Sequence, residues 1–425
     1  MSAVQEPVSR IKIAIIGAGM TSFHLYYGLS RFRHISCSIY EASHSPRADG
    51  AAVGLGENAQ AALKLLGDPA YQTLLDAGAV RMEPHVRFMI GTGPEAGKNV
   101  KDVECDVSQM VVRRARWLER VRGLLPEGAV RMGKRLVKIE PVFGNEQLTV
   151  RFDDGSEELV DAVIGCDGIN SCVRRYVLEP KYPDLAAPFY TSSHNHRVTI
   201  PMEQAQEAFG EAYCAARTQH AWIGQRGFLL TDIIDNGRQM QVVAGFVDDV
   251  VWPHQSPVVP YEMAALANDL ANWGEVGKGM IRIFSAQPRL FAAAGRLHSE
   301  TPTFCKGRIC IAGDAAQTFG PFQGAGVGQG LEDALILTTL LGACYDGKDL
   351  KHAFQAYDEL RRPRRQDIAR TSAQSAAMLT GMSDAEVNVD ALQRKLQGWG
   401  HNIWDYDLEA AQSQAMGILS ERCKR

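Results

Sequence analysis

A run of apolar residues interrupted only by Lys12 and followed by two glycines constrains the fold of this chain most strongly. Residues 11–16 read IKIAII, a pattern typical of a strand buried in a parallel sheet. Gly17 and Gly19 follow, and the next residues favour a helix that ends near Phe32. Residues 35–43, ISCSIYEAS, have the alternation of a second strand. The segment is therefore predicted to form a β-α-β unit.

The turn in this unit predicts a dinucleotide site. Gly17 and Gly19 permit a tight turn and let the backbone approach a pyrophosphate, which the helix N terminus stabilises. Glu41 lies 22 residues after Gly19, at the end of the second strand, where its carboxylate can accept a hydrogen bond from a ribose hydroxyl. Ser22 replaces the usual third glycine, and that closely packed position tolerates a small serine.

Two further stretches combine an apolar strand with a turn. One ends in DGINSCVR (residues 167–174), and the other runs from GRICIA into GDAAQTFGPFQGAGVGQGLEDA (residues 313–334). Residues 190–249, which lie between these two stretches, have the sequence pattern of antiparallel strands joined by turns. After Leu331 the chain is predicted to be helical.

These patterns predict an α/β fold combined with antiparallel β structure. A discontinuous Rossmann-like domain is interrupted by a β-sheet substrate domain, and a helical tail follows. The predicted bounds are 1–75, 105–185 and 290–370 for the nucleotide domain, 76–104 and 186–289 for the substrate domain, and 371–425 for the C-terminal helical tail.

Composition excludes several classes of function. The formal net charge of −4 and the pI near 6.3 give no sign of a nucleic-acid-binding face. Nine scattered cysteines show no ligand spacing, which predicts no metal site and a reducing, cytoplasmic location. We expect no membrane span. The basic cluster at residues 361–365 is interpreted as a solvated helix face.

Taken together, the Gly-x-Gly turn, the Asp-Gly stretch and the glycine-rich segment resemble the group A flavoprotein monooxygenases. These are single-component FAD aromatic hydroxylases, and the resemblance is strongest to the salicylate hydroxylase group. It extends over nearly the whole chain, including RADGAAVGLGENAQAAL, VRRARWLERVRGLLPEG and AYDELRRPRRQDIARTS. The resemblance implies bound FAD, with NADH or NADPH as a transient co-substrate.

The resemblance also implies which residues contact the cofactor. Glu41 would bind the adenosine ribose, Arg114 the phosphate–ribityl region and Asp314 the ribityl chain. Gly54 and Val327 would lie against FAD through their backbones.

The loops around the flavin ring have their own implied roles. Asp167 belongs to a motif that touches FAD and is implicated in NAD(P)H use, and Arg174 is expected to support its loop structurally. Gly324 and Gly326, with a helix beginning near Gly328, would bring amide N–H groups to the N1/O2 edge of the flavin.

The implied reaction is hydroxylation of a phenolic ring by O2 through a C4a-hydroperoxyflavin. The candidate catalytic residues lie on the antiparallel strands. Arg197 would hold a carboxylate or phenolate, and Arg238 and Asp232 are further candidates. Trp222 and Phe228 are expected in the core or the pocket wall. Possible bases among the histidines are His194, His196 and His220.

Departures from the family pattern bear on the substrate. Gln317 and Phe322 stand where the salicylate group has histidine, and Arg113 replaces the histidine of its VHRA motif. Phe322 makes the pocket mouth more apolar, which favours a larger phenol of secondary metabolism beside salicylate-like phenols, with decarboxylation or dearomatisation as possible outcomes. Two alternatives stay open: an FAD-dependent reductase of an unsaturated substrate and a non-catalytic binding protein. The chain is expected to be a monomer or homodimer.

Overall fold

The computed structural model describes residues 10–45, 51–381 and 389–424. The helices are α1 (Met20–Leu29), α2 (Glu57–Leu66), α3 (Asp68–Asp76), α4 (Arg114–Arg122), α5 (Cys172–Leu178), α6 (Met202–Phe209), α7 (Glu211–Ala215), α8 (Met263–Asp269), α9 (Gly274–Ser285), α10 (Gly326–Gly342), α11 (Leu350–Leu379), α12 (Val389–Lys395), α13 (His401–Trp404) and α14 (Leu408–Cys423). The strands are β1 (Ile11–Ile16), β2 (Ile35–Glu41), β3 (Ala52–Leu55), β4 (Val80–Met82), β5 (Val86–Ile90), β6 (Asn99–Val103), β7 (Gln109–Arg113), β8 (Val130–Met132), β9 (Leu136–Pro141), β10 (Leu148–Phe152), β11 (Glu157–Val160), β12 (Ala162–Gly165), β13 (Phe189–Pro201), β14 (Gln219–Gly224), β15 (Gly227–Ile234), β16 (Gln239–Val247), β17 (Val258–Pro260), β18 (Phe291–Leu297), β19 (Cys305–Lys306) and β20 (Ile309–Ile311).

The predicted β-α-β unit forms the centre of a six-stranded sheet with the order β19-β20-β12-β1-β2-β8. β1 pairs in parallel with both β2 and β12, and its apolar residues are buried on both faces of the sheet. The Rossmann-like α/β domain is therefore confirmed. α10 packs closely on α1, because a Cβ at Gly330 would lie 2.3 Å from the hydroxyl oxygen of Thr21.

The predicted antiparallel layer is an eight-stranded sheet with the order β17-β18-β13-β16-β15-β14-β5-β6. Within it, β14 pairs in parallel with β5, whereas the other neighbours are antiparallel. β18 falls inside residues 290–370, which the sequence assigned to the nucleotide domain. Its pairing with β13 instead makes it part of the antiparallel sheet, a difference that only long-range pairing reveals.

The C-terminal helices are not a detached tail. α11 runs without interruption through the predicted boundary at residue 370, even though it contains Pro363. Trp404 and Leu396 from the following segments pack in one apolar cluster with Phe88 of the antiparallel sheet. No helix in the described part of the chain is long and apolar enough to cross a membrane.

Two of the four arginines in the basic cluster of α11 are fully buried, so the interpretation of the cluster as a solvated face is wrong. Arg361 and Arg365 have no exposed surface. Arg361 donates to Asp333 Oδ1 at 2.9 Å and to Glu332 Oε2 at 2.5 Å, and Arg365 donates to Asp333 Oδ2 at 2.8 Å. Arg364 adds a further ion pair to Glu332. The cluster therefore joins α11 to α10 through paired charges.

Glu332 and Arg361 remain ionised because each has partners of opposite charge. Burial alone would raise the pKa of Glu332, but Arg361 and Arg364 outweigh it and lower that pKa to about 2. Burial likewise opposes the charge on Arg361, and the carboxylates of Glu332 and Asp333 raise its pKa instead. Removing one partner would leave a buried charge without compensation.

We predict that Arg361→Met lowers the free energy of unfolding by about 3–5 kcal/mol, because Glu332 and Asp333 would each lose a buried partner. Arg362→Met is the matched control, since Arg362 is partly exposed and pairs with Asp358 one turn away. It should cost about 1 kcal/mol or less. Urea denaturation of the two variants makes the comparison, and equal losses would show that the buried cluster adds no special stability.

Candidate active site

The Gly-x-Gly turn has the geometry expected of a nucleotide site. Gly17 has a φ of 98°, and a Cβ there would lie 2.6 Å from the carbonyl oxygen of Cys166, so glycine is required. Ser22 closes the turn, since its hydroxyl accepts from Gly19 N at 2.7 Å. Glu41 Oε2 accepts from Ala18 N at 2.8 Å, and a carboxylate has further lone pairs for a ribose hydroxyl.

The Asp-Gly stretch serves the architecture of its own loop. The Asp167 carboxylate accepts hydrogen bonds from Ser171 Oγ and from the backbone N–H groups of Cys172 and Val173, at the start of α5. Asp167 does not line the active-site cavity, which is described below, so a direct contact of its side chain with FAD stays a prediction.

Arg174 has the structural position that the sequence suggested. It is fully buried, and its guanidinium donates to the carbonyl oxygens of Leu185, Ala315 and Ala316. It thus ties the Asp-Gly loop to the glycine-rich segment.

The glycine-rich segment has a fixed backbone between β20 and α10. Gly324 has a φ of 65°, a left-handed conformation, and α10 begins at Gly326, slightly earlier than expected. Asp333 Oδ2 accepts from Gly313 N at 2.9 Å, and Arg365 donates to the carbonyl oxygens of Gly313 and Gln317. The buried ion pairs therefore position this loop.

A cavity of about 530 Å³, called the active-site cavity below, lies between the nucleotide domain and the antiparallel sheet. Seven of the ten predicted cofactor residues line it: Gly19, Gly54, Arg114, Asp314, Gly324, Gly326 and Val327. The other three are Gly17, Glu41 and Asp167, which lie near the β1–α1 turn and outside the lining.

The residues of this cavity fit FAD. Gln109 Nε2 is buried and has no hydrogen-bond partner among the described residues, and a Cβ at Gly54 would lie 2.4 Å from the Oε1 atom of the same side chain. The Gly54 backbone lets a ligand approach closely, and the Gln109 amide can donate a hydrogen bond to it. Together they suit the polar edge of a flavin ring. Asp314 is exposed to the cavity, and the positive charges of Arg365 and Arg114 act on its carboxylate.

The opposite wall of the cavity is one face of the antiparallel sheet. Arg197 on β13 and Asp232 on β15 both line it, and they flank β16, where Val243 pairs with Arg197 and Gln241 pairs with Asp232. Asp232 Oδ2 accepts from Gln241 Nε2 at 2.9 Å, and its other oxygen accepts from Gln219 Nε2 at 2.5 Å. Arg197 and Asp232 therefore line the same wall of the active-site cavity, and their catalytic roles stay predictions.

The ionisation of Asp232 differs from that of a surface carboxyl group. Loss of water raises the pKa of Asp232, against the opposing hydrogen bonds of the two glutamines and the charge of Arg197. Arg197 is exposed to the cavity, and the charge of Asp232 favours its protonated form. The guanidinium still remains protonated, so it offers a cation to the cavity.

Arg238 is not part of the site. It is exposed in the turn between β15 and β16 and does not line the active-site cavity. The sequence named it as a further candidate because it precedes a strand of the same sheet, and only the fold shows that it lies in the turn.

The three histidines considered as bases also lie outside the active-site cavity. His194 and His196 alternate with Asn195 and Arg197 along β13, and they therefore face the other side of the sheet. His220 stacks on Tyr213 with ring centroids 4.1 Å apart. Burial lowers the pKa values of His196 and His220 to about 4.

Several cavity residues were missed by the sequence analysis. His85, Trp399 and Trp404 form an aromatic wall, in which His85 lies 4.2 Å from Trp404 between ring centroids. Gln219 and Gln241 hold Asp232, as described above. No local pattern marks these five residues, because they come from segments far apart in the chain. Trp222 and Phe228 line the cavity, as expected.

Comparison with known proteins is consistent with this geometry. Residues 281–372 match a family model described as an FAD binding domain. The 6-methylsalicylate 1-monooxygenase atA of Aspergillus terreus is 33% identical over 424 residues, which cover 97% of this chain and 93% of the relative. The chain is an FAD-dependent monooxygenase of the salicylate hydroxylase type.

Other similar proteins agree with this assignment. A salicylate hydroxylase of Pseudomonas putida is 32% identical over 96% of this chain and 95% of its own. A solved salicylate hydroxylase substrate complex has a TM-score of 0.84 at 26% identity, covering 96% of this chain and 98% of that one. These comparisons support an aromatic hydroxylase that uses FAD and NAD(P)H, and they give no support to the reductase or the non-catalytic alternative.

We predict that Arg114→Met weakens FAD binding about 10- to 100-fold, because the cavity would lose a cation facing the cofactor phosphates. Arg113→Met is the matched control, since Arg113 is the preceding residue and does not line the cavity. Fluorescence titration of the two apoproteins with FAD measures both effects. Equal FAD affinities would remove Arg114 from the cofactor site.

Proposed function

We propose that this monooxygenase hydroxylates a phenolic acid of the salicylate type, including larger phenols of secondary metabolism. The observation that carries the proposal is the presence of a guanidinium without a hydrogen-bond partner, Arg197, and a buried carboxyl group, Asp232, on one wall of the active-site cavity. The names of relatives support it, since they include salicylate and 6-methylsalicylate monooxygenases and FAD-dependent monooxygenases such as pigN of Monascus ruber.

When bound, FAD would supply the redox chemistry of the reaction, with NAD(P)H as the hydride donor and O2 as the source of the oxygen atom. The side chains proposed to hold it are Arg114 and Asp314, with the backbone of Gly54 and of the first turn of α10. The free N–H groups in the first turn of α10 and the dipole of this helix would favour negative charge on the part of the flavin ring placed next to them.

Arg197 is proposed to bind the carboxylate or phenolate of the substrate. Its guanidinium has no hydrogen-bond partner among the described residues, and it faces the cavity from the sheet opposite the glycine-rich segment. A guanidinium forms two parallel hydrogen bonds with a carboxylate, so it would fix the ring in one orientation.

Asp232 is proposed as the group that accepts the phenolic proton. Two glutamine amides fix its position, and its raised pKa makes it a stronger base than an exposed aspartate. Removing the proton increases the electron density of the ring, which the transfer of an electrophilic oxygen requires.

Aromatic side chains are proposed to keep water out of the reaction. Trp399 and Trp404 contact each other with centroids 5.5 Å apart, and Trp399 lies edge-on to Phe88. Phe322 lies 5.3 Å from Phe228 at the side of the cavity next to α11. Exclusion of water protects an activated oxygen from collapse to H2O2.

The cellular compartment, the oligomeric state and the electron donor of the enzyme are also proposed. The cysteines of the described residues are free thiols, which supports a reducing, cytoplasmic compartment. We propose a monomer or homodimer with NADH or NADPH as electron donor.

We predict that Arg197→Gln lowers kcat/KM for salicylate about 100-fold, mainly by raising KM, because the substrate anion loses its cation. FAD affinity should stay unchanged. Arg238→Gln is the matched control in the exposed turn between β15 and β16, outside the cavity, and it should change kcat/KM less than about twofold. Equal effects of both substitutions on kcat/KM would contradict the assigned site.

We predict a pH dependence that originates in Asp232. A base acts only when ionised, so kcat/KM should fall as the pH falls through the raised pKa of this carboxyl group. Asp232→Asn should abolish this acid limb and lower kcat by about 100-fold or more. Circular dichroism at each pH controls for unfolding. An unchanged acid limb in the variant would assign the proton transfer to another group.

A further inference from the structure

A second cavity of about 910 Å³ lies beside the active-site cavity, and it is called the side cavity below. Three parts of the fold enclose it: residues 191–195 of β13 with residues 295–300 at and after β18, the loop at residues 317–322, and residues 363–380 of α11. Its volume lies in the range of ligand-binding sites, and the roles proposed above leave it without a ligand.

The surface of the side cavity is mainly apolar. On the α11 side, four alanines leave the cavity open: Ala369, Ala373, Ala376 and Ala377. Much of the remaining wall is formed by larger apolar side chains: Phe228, Phe246, Val247, Leu297, Phe319 and Phe322. Ala373 and Ala377 are exposed alanines, so larger residues fit there without displacing packed atoms.

The arginines around the side cavity are already engaged, and its exposed carboxylate, Glu300, would repel an anion. Arg296 donates to Asn170 Oδ1 at 3.0 Å, and Arg370 is paired with Asp367. His298 contacts the carbonyl oxygen of Ile169 through one ring nitrogen and the backbone N–H of Thr318 through the other. Burial lowers its pKa to about 3, so it is neutral. The lining therefore offers little to the diphosphate of a pyridine nucleotide, and it suits an apolar ligand.

The side cavity and the active-site cavity share a wall. Both are lined by Asn195, Phe228 and residues 318–322. The rings of Phe228 and Phe322 meet edge to face at 5.3 Å, and Gly320 leaves room for Phe322, since a Cβ there would lie 2.8 Å from that ring. A molecule that passes these two rings would occupy both cavities.

We propose that the side cavity binds an apolar substituent of the substrate, an alkyl chain or a second ring, while the phenolic ring lies in the active-site cavity. The inference rests on the proposed function and narrows its substrate class to phenolic acids that carry an extended apolar group. Phe322, which stands where the family motif has histidine, would then contact this group and favour it over a polar one.

The test measures binding of salicylates with linear alkyl chains of one to six carbons at ring position 4 or 6. Flavin fluorescence of the FAD-loaded protein gives each dissociation constant without turnover. In one of the two series, each added CH2 should tighten binding about threefold. Ala373→Leu and, as a second variant, Ala377→Leu should weaken binding of the hexyl compound tenfold or more and leave salicylate binding unchanged.

Gln374→Leu is the matched control, because Gln374 is exposed on the same helix turn and does not line the side cavity. It should change neither dissociation constant. Affinity that is independent of chain length in both series would overturn the proposal. A rise in the KM for NADH or NADPH with both alanine variants, without an effect on the alkyl salicylates, would also overturn it and assign the cavity to the dinucleotide. Failure of every phenol to be hydroxylated would contradict the proposed function, while the binding series still decides the ligand of the cavity.

Discussion

The buried ion pairs between α10 and α11 are the interaction on which the rest of this structure depends. Asp333 receives hydrogen bonds from Arg361, Arg365 and the backbone N–H of Gly313, so one carboxylate joins two helices to the glycine-rich loop. Glycines alone would leave that loop free to adopt many conformations. The charges restrict it, and their burial is tolerated because each has partners. The glycine-rich loop, which is proposed to contact the flavin, is therefore held in place by ion pairs that lie outside the cavity.

The antiparallel sheet separates two environments by the alternation of its strands. Along β13, Arg197 faces the active-site cavity, whereas His194 and His196 face the other side of the sheet. Across the sheet, Asp232 is fixed by glutamines from both neighbouring strands. A one-residue shift of β15 would remove Asp232 from the cavity, so strand register places the proposed base.

Local sequence patterns predicted the nucleotide half of the molecule well. A buried strand, a glycine turn and Glu41 follow one another within about thirty residues, and each has a direct physical reason. Local patterns failed to predict side-chain burial where contacts join segments that are distant in the sequence. Arg361 and Arg365 have the same local sequence as a solvated helix face, and only the approach of α10 makes them buried ion pairs.

The candidate substrate site shows the same limit. Arg197 and Arg238 were both candidates in the sequence, and the fold places the first in the cavity and the second in an exposed turn. His85 and Trp404 lie more than three hundred residues apart in the chain and still form one wall of the cavity. Side chains chosen by tertiary packing carry no local pattern, so this wall was not predictable.

The most direct test of the account is isotope transfer from O2. The FAD-loaded protein would be supplied with NADH or NADPH, 18O2 and salicylate or an alkyl salicylate, and the product mass would be measured together with H2O2. The account predicts that one 18O atom enters the ring of the product and that little H2O2 forms. Oxidation of the nicotinamide that yields only H2O2 with every phenol, or a reduced product without 18O, would contradict it.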